Sequence, residues 1–373
     1  METNPIGLYV HIPFCVKKCN YCDFCSVPCD KDKVNEYVMN LLSEIESYKR
    51  IPKIEVDTVF FGGGTPSIIS AELFLKIASA IRNSFDLTEN CEFSIEVNPA
   101  TLDEKKTEAF IEAGVNRVSI GLQSIHENEM KILGRIHTYK EFEKTYRMVR
   151  DAGISNVNVD LMYGIPEQTS DSLKKTIESV ISLSPEHISA YGLIVEEGTP
   201  FYEKRSELAL PDEDTEYDMY VMIHKTLTDA GYSHYEISNY ARDGYQSKHN
   251  LKYWRDEEYI GVGLAAHSYF SGKRFYNTEK FDEYFDGFGA KYRKAENSSC
   301  GIDEFEYAML GLRLSEGISL SEYEKLFSKS FAVGKEEKLK SYIESGLMEI
   351  SDGRLYFTAK GFYVSNSILA DLL

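Results

Sequence analysis

The first half of the chain alternates strand patterns with helical patterns, and this alternation limits the possible folds most strongly. Apolar residues between the strand candidates recur at helical spacing, as Leu73, Ile77, Ala80 and Ile81 do. Six consecutive βα units predict a parallel sheet that curves into a whole or partial barrel. The strand candidates are residues 8–13, 58–63, 92–98, 117–123, 156–164 and 187–195.

Most of these strands carry apolar residues on one face and polar residues on the other. In residues 92–98, Phe93, Ile95 and Val97 share one face and Glu96 lies on the opposite one. The strands of a fully packed parallel barrel are apolar on both faces. We therefore expect the apolar faces to meet the helices and the polar faces to line a ligand site inside the barrel. An antiparallel sheet with one wet face is the alternative, which the intervening helices disfavour.

The pattern changes after about residue 230, which suggests further domains. Residues 233–241, 251–270 and 273–278 look like strands that extend the sheet. After residue 300, helices near 303–315, 318–328 and 335–346 precede a two-stranded wing and a terminal helix, which indicates a winged-helix-like module. The expected domains are residues 1–230, 231–300 and 301–373.

Charge and hydropathy exclude several functional classes. The 373 residues include 41 Lys and Arg against 60 Asp and Glu, a formal net charge of −19. This surplus of acid argues against a nonspecific nucleic-acid surface, and residues 301–373 are acidic as well, with 12 acids and 8 bases. No apolar run approaches the roughly 20 residues that span a bilayer, and the N-terminal sequence lacks signal-peptide features. We expect a cytoplasmic protein that does not span a membrane and does not bind nucleic acid.

Five of the seven cysteines fall within 15 residues, directly after the first strand: Cys15, Cys19, Cys22, Cys25 and Cys29. A disulfide framework would spread its cysteines through a short secreted chain, so the cluster indicates reduced metal ligands. Three thiolates on one loop suit a 4Fe–4S cluster with one iron open to a ligand. A zinc site that uses Cys22 with Cys25, or Cys25 with Cys29, is the alternative from spacing alone.

These motifs resemble the radical S-adenosylmethionine (SAM) superfamily. The resemblance rests on the C-x-x-x-C-x-x-C loop with Tyr21 before its third cysteine, and on the Gly-Gly-Gly-Thr-Pro-Ser run at residues 62–67. Within the superfamily the chain is similar to the anaerobic coproporphyrinogen oxidase (HemN-like) family, through segments such as LYVHIPFC, FFGGGTPS and NVDLMYGIPEQT. The resemblance implies a partial (β/α)6 barrel with a 4Fe–4S cluster on Cys15, Cys19 and Cys22.

The same resemblance implies a SAM site and one-electron chemistry. The cluster would pass an electron to SAM and generate a 5′-deoxyadenosyl radical, with flavodoxin or ferredoxin as an electron donor. The polar-face prediction agrees with four of the implied SAM contacts, Tyr9, Glu96, Gln123 and Asp160. The implied SAM contacts are Tyr9, Tyr21, Gly63, Gly64, Thr65, Glu96, Gln123, Arg135 and Asp160.

Two branches of the family differ in function. The oxidase branch has a longer segment before its cysteines and a C-x-C ending to the motif, whereas here 14 residues precede Cys15 and Cys25 follows Cys22 after two residues. The HemW-type haem chaperone branch has an H-N-x-x-Y-W motif, which this chain matches from His249 through Tyr253 to Trp254. The resemblance implies haem binding and delivery of haem to an acceptor protein, and a short oxygen-independent coproporphyrinogen III oxidase is the alternative function.

In this motif His249 would bind haem iron while Tyr253 and Trp254 pack on the macrocycle. From the residues alone, a hydrogen-bonded structural His in an aromatic strand stays the alternative. His267 is a second candidate ligand, and His11 faces the lumen without an assigned role. The roles of Cys25 and Cys29, the haem acceptor, productive SAM cleavage and the oligomeric state stay open.

Overall fold

A computed structural model describes residues 4–287, 293–295 and 303–373. Cys300 and the predicted domain boundary at residue 300 lie outside these ranges. Among the described residues, twelve strands form one mixed sheet. In spatial order these strands are β14 (Lys294–Ala295), β13 (Lys273–Tyr276), β12 (His267–Phe270), β11 (Tyr259–Val262), β1 (Ile6–Ile12), β4 (Ile54–Gly63), β5 (Phe85–Val97), β6 (Arg117–Gln123), β7 (Asn156–Tyr163), β8 (His187–Gly192), β10 (Asn239–Ala241) and β9 (Ser233–Glu236).

The middle of this sheet is parallel, from β11 through β1 and β4 to β8. All six strand predictions in the first half are confirmed, and β11 adds a seventh parallel strand. The antiparallel strands at both ends leave the described sheet open, since β14 and β9 are its two edges. The predicted partial barrel is therefore confirmed.

Helices cover the outer, apolar face of the parallel strands. Phe93, Ile95 and Val97 of β5 are buried in the same core as Phe74 and Ile77 of the neighbouring helix. Side-chain caps fix several helix starts, including a reciprocal capping box in which Thr138 and Glu141 bond each other's backbone N–H. The helices of this layer are α1 (Lys31–Ser47), α2 (Ala71–Ser84), α3 (Glu104–Glu112), α4 (Glu127–Ile132), α5 (Tyr139–Asp151), α6 (Ser170–Ser182), α7 (Pro200–Glu203) and α8 (Glu213–Asp229).

The segment after residue 241 departs from the sequence prediction. Residues 251–254, predicted to be part of a strand, belong to helix α9 (Lys248–Trp254). Ser247 caps this helix by accepting a hydrogen bond from the backbone of Asn250. Aromatic residues favour strands, but here they form two turns of helix because one side packs against the sheet. The predictions of strands at 259–262, 267–270 and 273–276 are confirmed.

The C-terminal residues form the predicted winged-helix-like module. A three-stranded antiparallel sheet runs β15 (Ile318–Ser319), β17 (Arg354–Phe357), β16 (Met348–Ser351). Asp352 and Gly353 both have positive φ, as the tight wing turn requires. The helices after β12 are α10 (Phe281–Phe285), α11 (Glu304–Gly311), α12 (Leu320–Phe327), α13 (Glu336–Glu344), α14 (Ala359–Tyr363) and α15 (Ser365–Leu372). The boundary proposed at residue 230 stays a prediction.

Candidate functional site

The cysteine loop leaves the carboxyl end of β1, and it is held in place at its paired ends and in its middle. Its first residues (β2, Phe14–Cys15) pair in parallel with its last (β3, Val27–Pro28). In the middle, the Asn20 backbone N–H donates to the Leu133 carbonyl oxygen at 3.0 Å. Such anchors fix the loop before any ligand binds, which lowers the entropy cost of binding.

Three of the five clustered cysteines line one cavity of about 530 Å³. They are Cys15, Cys19 and Cys22, the three that the sequence predicts as cluster ligands. Cys25 and Cys29 are not among the residues that line it: Cys29 is exposed, and the Cys25 carbonyl accepts a hydrogen bond from His11 Nε2 at 2.9 Å. The structure thus separates the cysteines into the predicted three and two.

The glycine-rich turn after β4 packs directly on the cysteine loop. Gly64 approaches so closely that a Cβ there would lie 2.7 Å from the Phe14 carbonyl oxygen, and the Thr65 N–H donates to that same oxygen at 2.8 Å. Gly63 has a φ of 110°, which favours glycine. Thr65 Oγ1 donates to Cys15 Sγ at 3.6 Å. The turn therefore delivers a hydroxyl to the first cysteine and backbone groups to the cavity.

Two carboxylates, Glu96 and Asp160, project from the strands into this cavity. Burial raises the pKa of Glu96 to about 8, and the negative charge of Asp160 adds to the rise. Burial also raises the pKa of Asp160, although Asn158 Nδ2 donates to its Oδ1 at 2.7 Å and Ser119 Oγ to its Oδ2 at 3.2 Å. Two carboxyl groups in one confined space favour a positively charged ligand, which would lower both pKa values.

Gln123 and Arg135 add polar atoms whose hydrogen-bonding capacity is not used. Within the described residues, buried Gln123 Oε1 and Arg135 Nε have no hydrogen-bond partner. The rest of the Arg135 guanidinium is fixed, because Nη2 donates to the Gly121 carbonyl at 2.6 Å and Nη1 to Cys19 Sγ at 3.7 Å. Gln123 has a φ of 67°, an uncommon conformation for a residue with a side chain. Unpaired buried groups beside a cavity are expected where a ligand completes the bonding.

The predicted aromatic contacts take different positions. Tyr21 lines the cavity, whereas Tyr9 lies behind Phe60, with their ring centroids 6.3 Å apart. The Tyr9 hydroxyl bonds His11 Nδ1 at 3.0 Å, and His11 Nε2 donates to the Cys25 carbonyl oxygen. The His11 ring therefore links Tyr9 of β1 to the cysteine loop. Eight of the nine predicted SAM contacts therefore line one cavity, and Tyr9 is directly behind its wall.

This donor set fits an iron–sulfur cluster and SAM. Three thiols, two carboxyls, an unpaired amide oxygen and a guanidinium face one space, and two of the thiols already accept hydrogen bonds. In the part of the chain that the structure describes, no three His, Cys, Asp or Glu side chains converge on a single-ion site. A cubane cluster instead takes each thiolate at a separate iron.

The predicted haem ligand His249 does not fit that role in this conformation. Its side chain is 1% exposed, and both ring nitrogens are engaged: Nδ1 with Thr58 Oγ1 and Nε2 with the Tyr253 hydroxyl, each at 2.8 Å. An axial ligand needs a free ring nitrogen. Trp254 lies under Arg313, whose guanidinium carbon is 5.7 Å from the ring. His249 is thus fully engaged inside the protein, while Tyr253 and Trp254 are half-buried against it and against Arg313. His267 is exposed on β12, with its ring stacked on Tyr276.

Several cavity residues escaped the sequence prediction. Asn250 of α9 reaches the cavity although it directly precedes residues 251–270, which the sequence predicts as strands that extend the sheet. Tyr191, near the end of β8, and Ile194, just beyond it, form part of the mouth with Phe24. Ile194 and Phe24 are about three-fifths exposed, at 62% and 61%. Alternation along β8 would have indicated Tyr191. Asn250, Ile194 and Phe24 carry no such signal, because only the fold places them around one cavity.

The chain matches two family models. Residues 9–180 match the Radical SAM superfamily and residues 305–364 match the HemN C-terminal domain. Among curated proteins, the heme chaperone HemW of Lactococcus lactis is 34% identical over 100% of this chain and 98% of its own length. The HemW proteins of Bacillus subtilis (35%, covering 98% of both chains) and Escherichia coli (36%, covering 86% of this chain and 85% of the relative) are similar as well. The chain belongs to the HemW family.

A solved structure shows the same fold for this HemW-family chain. Coproporphyrinogen III oxidase (HemN) from Escherichia coli superimposes with a TM-score of 0.84, covering 99% of this chain and 90% of that one, at 22% identity. That likeness concerns the fold alone. Among the described helices of the HemW-family chain, none is both long and apolar enough to cross a membrane.

Proposed function

We propose that this protein is a haem chaperone that binds haem and delivers it to an acceptor protein. The observation that carries the proposal is the full-length similarity to proteins named heme chaperone HemW, at 34% and 35% identity. The oxidase alternative is supported only by the shared fold with HemN. A cytoplasmic location and an electron donor such as flavodoxin or ferredoxin belong to the same proposal.

The cluster and SAM form the cofactor part of the proposal. Cys15, Cys19 and Cys22 would hold the cluster, and the bound cluster supplies one-electron transfer to SAM. Thr65 and Arg135 donate to two of the sulfurs, and donors to sulfur stabilise the thiolate form that ligates iron.

The carboxylates and the amide would hold SAM. Glu96 and Asp160 offer negative charge to its sulfonium and ammonium groups, and unpaired Gln123 Oε1 offers an acceptor for one of its donors. Tyr21, Gly63 and Gly64 would form part of the wall around it, and Tyr9 would support that wall from behind Phe60. These roles come from the family resemblance together with the shared cavity.

The mouth of the cavity is the part of this site that suits haem. Phe24, Tyr191 and Ile194 expose apolar surface there, beside the cavity, where it can contact an apolar ligand. Lys17 and Lys18 stand at the same mouth and can pair with haem propionates. Unlike buried His249, this surface is open to the flat, apolar macrocycle of haem and to its two propionates.

Haem transfer tests the proposal. Anaerobically reconstituted protein is loaded with haem and mixed with apomyoglobin, and the growth of the holomyoglobin spectrum is followed. If delivery is directed, haem should reach apomyoglobin faster from this protein than from serum albumin that carries the same amount of haem. Conversion of coproporphyrinogen III by the same preparation, with no haem binding, would instead establish the oxidase.

Exchanging the mouth residues tests the haem surface. Phe24→Ala and Ile194→Ala should each weaken haem binding by about tenfold, since each removes well over one buried CH₂ group's worth of contact. Ile350→Ala is the matched control, because Ile350 is 45% exposed on the distant wing. Equal haem affinity in the mouth variants and the control would contradict this placement.

A further inference from the structure

Helix α9 fills the lower end of the barrel lumen. The backbone N–H groups of Lys248 and His249 donate to the two carboxylate oxygens of Glu92, each at 3.2 Å. A Cβ on Gly7 of β1 would lie 3.2 Å from the His249 ring, so the helix rests directly on the strand. The cysteine loop and the glycine-rich turn lie at the carboxyl ends of the strands. The helix therefore forms the opposite wall, the floor of the cavity.

Asn250 is the residue of this helix that faces the cavity. It lines the same space as Glu96 and Asp160, and it is half-buried. Its backbone N–H is used by the Ser247 cap, at 3.4 Å. Its side-chain amide thus presents a donor pair and an acceptor to whatever occupies the cavity.

His249 fixes the position of this asparagine. Its ring is bonded on one side to Thr58 of β4 and on the other to Tyr253, one helical turn further along. The ring also stacks on Phe60, with centroids 5.2 Å apart, and Phe60 itself lines the cavity. The helix cannot rotate about its axis without breaking the bond to Thr58 and the stack on Phe60, while the bond to Tyr253, inside the helix, fixes the orientation of the His249 ring.

A second link joins the cap of the helix to the cavity. The Ser247 N–H donates to the Tyr235 hydroxyl at 3.2 Å, and this hydroxyl bonds His187 Nε2 at 2.8 Å. His187 Nδ1 bonds Asn158 Oδ1 at 2.6 Å, and Asn158 Nδ2 donates to Asp160. Asp160 in the cavity wall and Ser247 at the start of α9 are thereby connected by one chain of hydrogen bonds.

We propose that the HNLKYW segment is part of the SAM site and does not ligate haem iron. Asn250 would bind SAM from the floor of the cavity, and His249 and Tyr253 are positioning residues that hold Asn250 in place. The inference rests on the SAM site of the proposed function. It follows from the closed hydrogen bonding of His249 together with the exposure of Asn250 to the cavity.

SAM affinity and the haem spectrum separate the two roles of the segment. Anaerobically reconstituted variants with matched iron content and thermal midpoint are titrated with SAM by calorimetry and with haem by absorption. Asn250→Ala should weaken SAM binding by about five- to tenfold, as expected for one lost hydrogen bond. His249→Ala should weaken SAM binding to a similar extent and leave the haem Soret band in place. Asn40→Ala, on the outer face of α1, is the matched control and should bind SAM as the wild type does.

A variant that combines His249→Ala with Asn250→Ala distinguishes a positioning role of His249 from a general structural role. Because His249 acts through Asn250, the double variant should lose no more SAM affinity than Asn250→Ala alone. A structural role of His249 would instead make the two losses of SAM affinity additive. If His249→Ala does not fold, Tyr253→Phe replaces it, because this variant keeps the ring and removes only the hydroxyl that bonds His249. Tyr253→Phe should weaken SAM binding, by less than the loss expected for His249→Ala.

Two outcomes would overturn the inference. Unchanged SAM affinity in Asn250→Ala would do so, and so would a lost or displaced Soret band in His249→Ala with SAM affinity intact. Failure of the proposed function looks different: there the wild type itself would bind no haem, whatever the SAM titrations gave.

Discussion

Replacing Glu96 with Gln isolates one carboxyl group in the proposed SAM site. The two side chains have nearly the same shape, so the cavity is preserved while the ionisable group is lost. The other charged or titratable groups near Glu96 are Asp160, Arg117, Tyr9, Tyr191 and Tyr253, and all five are unchanged. A difference between the two proteins therefore reports the charge on Glu96.

The magnitude follows from its pKa of about 8. At pH 7 only about one-tenth of the molecules carry an ionised Glu96, since each pH unit below the pKa reduces that fraction about tenfold. A cationic ligand that requires the carboxylate loses affinity by the same factor. SAM binding to the wild type should thus tighten by nearly tenfold between about pH 7 and about pH 8.5. The curve for Glu96→Gln should lack this component and keep only the dependence due to SAM itself.

Calorimetry in two buffers of different ionisation enthalpy measures the effect directly. Close to one proton should leave the wild type on SAM binding at pH 7, and this release should be absent from Glu96→Gln. Parallel pH profiles and equal proton release in the two proteins would refute the reasoning. These results would mean that Glu96 is already ionised before SAM binds, or that Glu96 does not contact a positive charge of SAM.

Three further predictions concern the cysteines, the glycine-rich turn and the base of the C-terminal module. Cys19→Ser should lose the absorption near 400 nm and most of the reconstituted iron, whereas Cys29→Ser should keep both, and equal loss would contradict the separation of the cysteines. Gly64→Ala should reduce iron content and lower the unfolding free energy by about 2 kcal/mol, because the new Cβ meets backbone that cannot move aside; wild-type iron content and urea midpoint would oppose this. Fully buried Glu236 has its pKa raised by burial to about 7, so ionisation disfavours the folded state and stability falls as pH rises from about 4.5 to about 7. Glu236→Gln should therefore be more stable than the wild type at pH 8, by up to about 3 kcal/mol, and similar to it near pH 5, as urea unfolding at both pH values would show.

Local patterns were sufficient to predict the barrel and most of its lining. Each βα unit records its own periodicity, and alternation alone placed Glu96, Gln123 and Asp160 on the inner face, where the structure has them. Spacing alone left a zinc site open, and the resemblance of the C-x-x-x-C-x-x-C loop to a known family separated Cys15, Cys19 and Cys22 from the other two. These features depend on neighbours in sequence, so the sequence carries them directly.

The floor of the cavity depends on contacts between distant residues, and there the prediction failed. Residues 251–254 have the aromatic character of a strand, but Glu92 and Thr58, some 150 to 190 positions earlier, bond Lys248 and His249 in the first turn of the helix that contains them. The bond from Thr58 also engages one ring nitrogen of His249, and Tyr253 engages the other. Tertiary hydrogen bonds override local propensity in this segment.

Haem titration of the reconstituted protein tests directly whether this protein binds haem at a defined site. Haem is added anaerobically to the cluster-loaded chain while the Soret band is recorded. We expect a saturable change at a fixed haem-to-protein ratio, weakened by Phe24→Ala and Ile194→Ala and retained in His249→Ala. A linear, unsaturable change indistinguishable from haem in buffer would contradict the assignment of this protein as a haem chaperone.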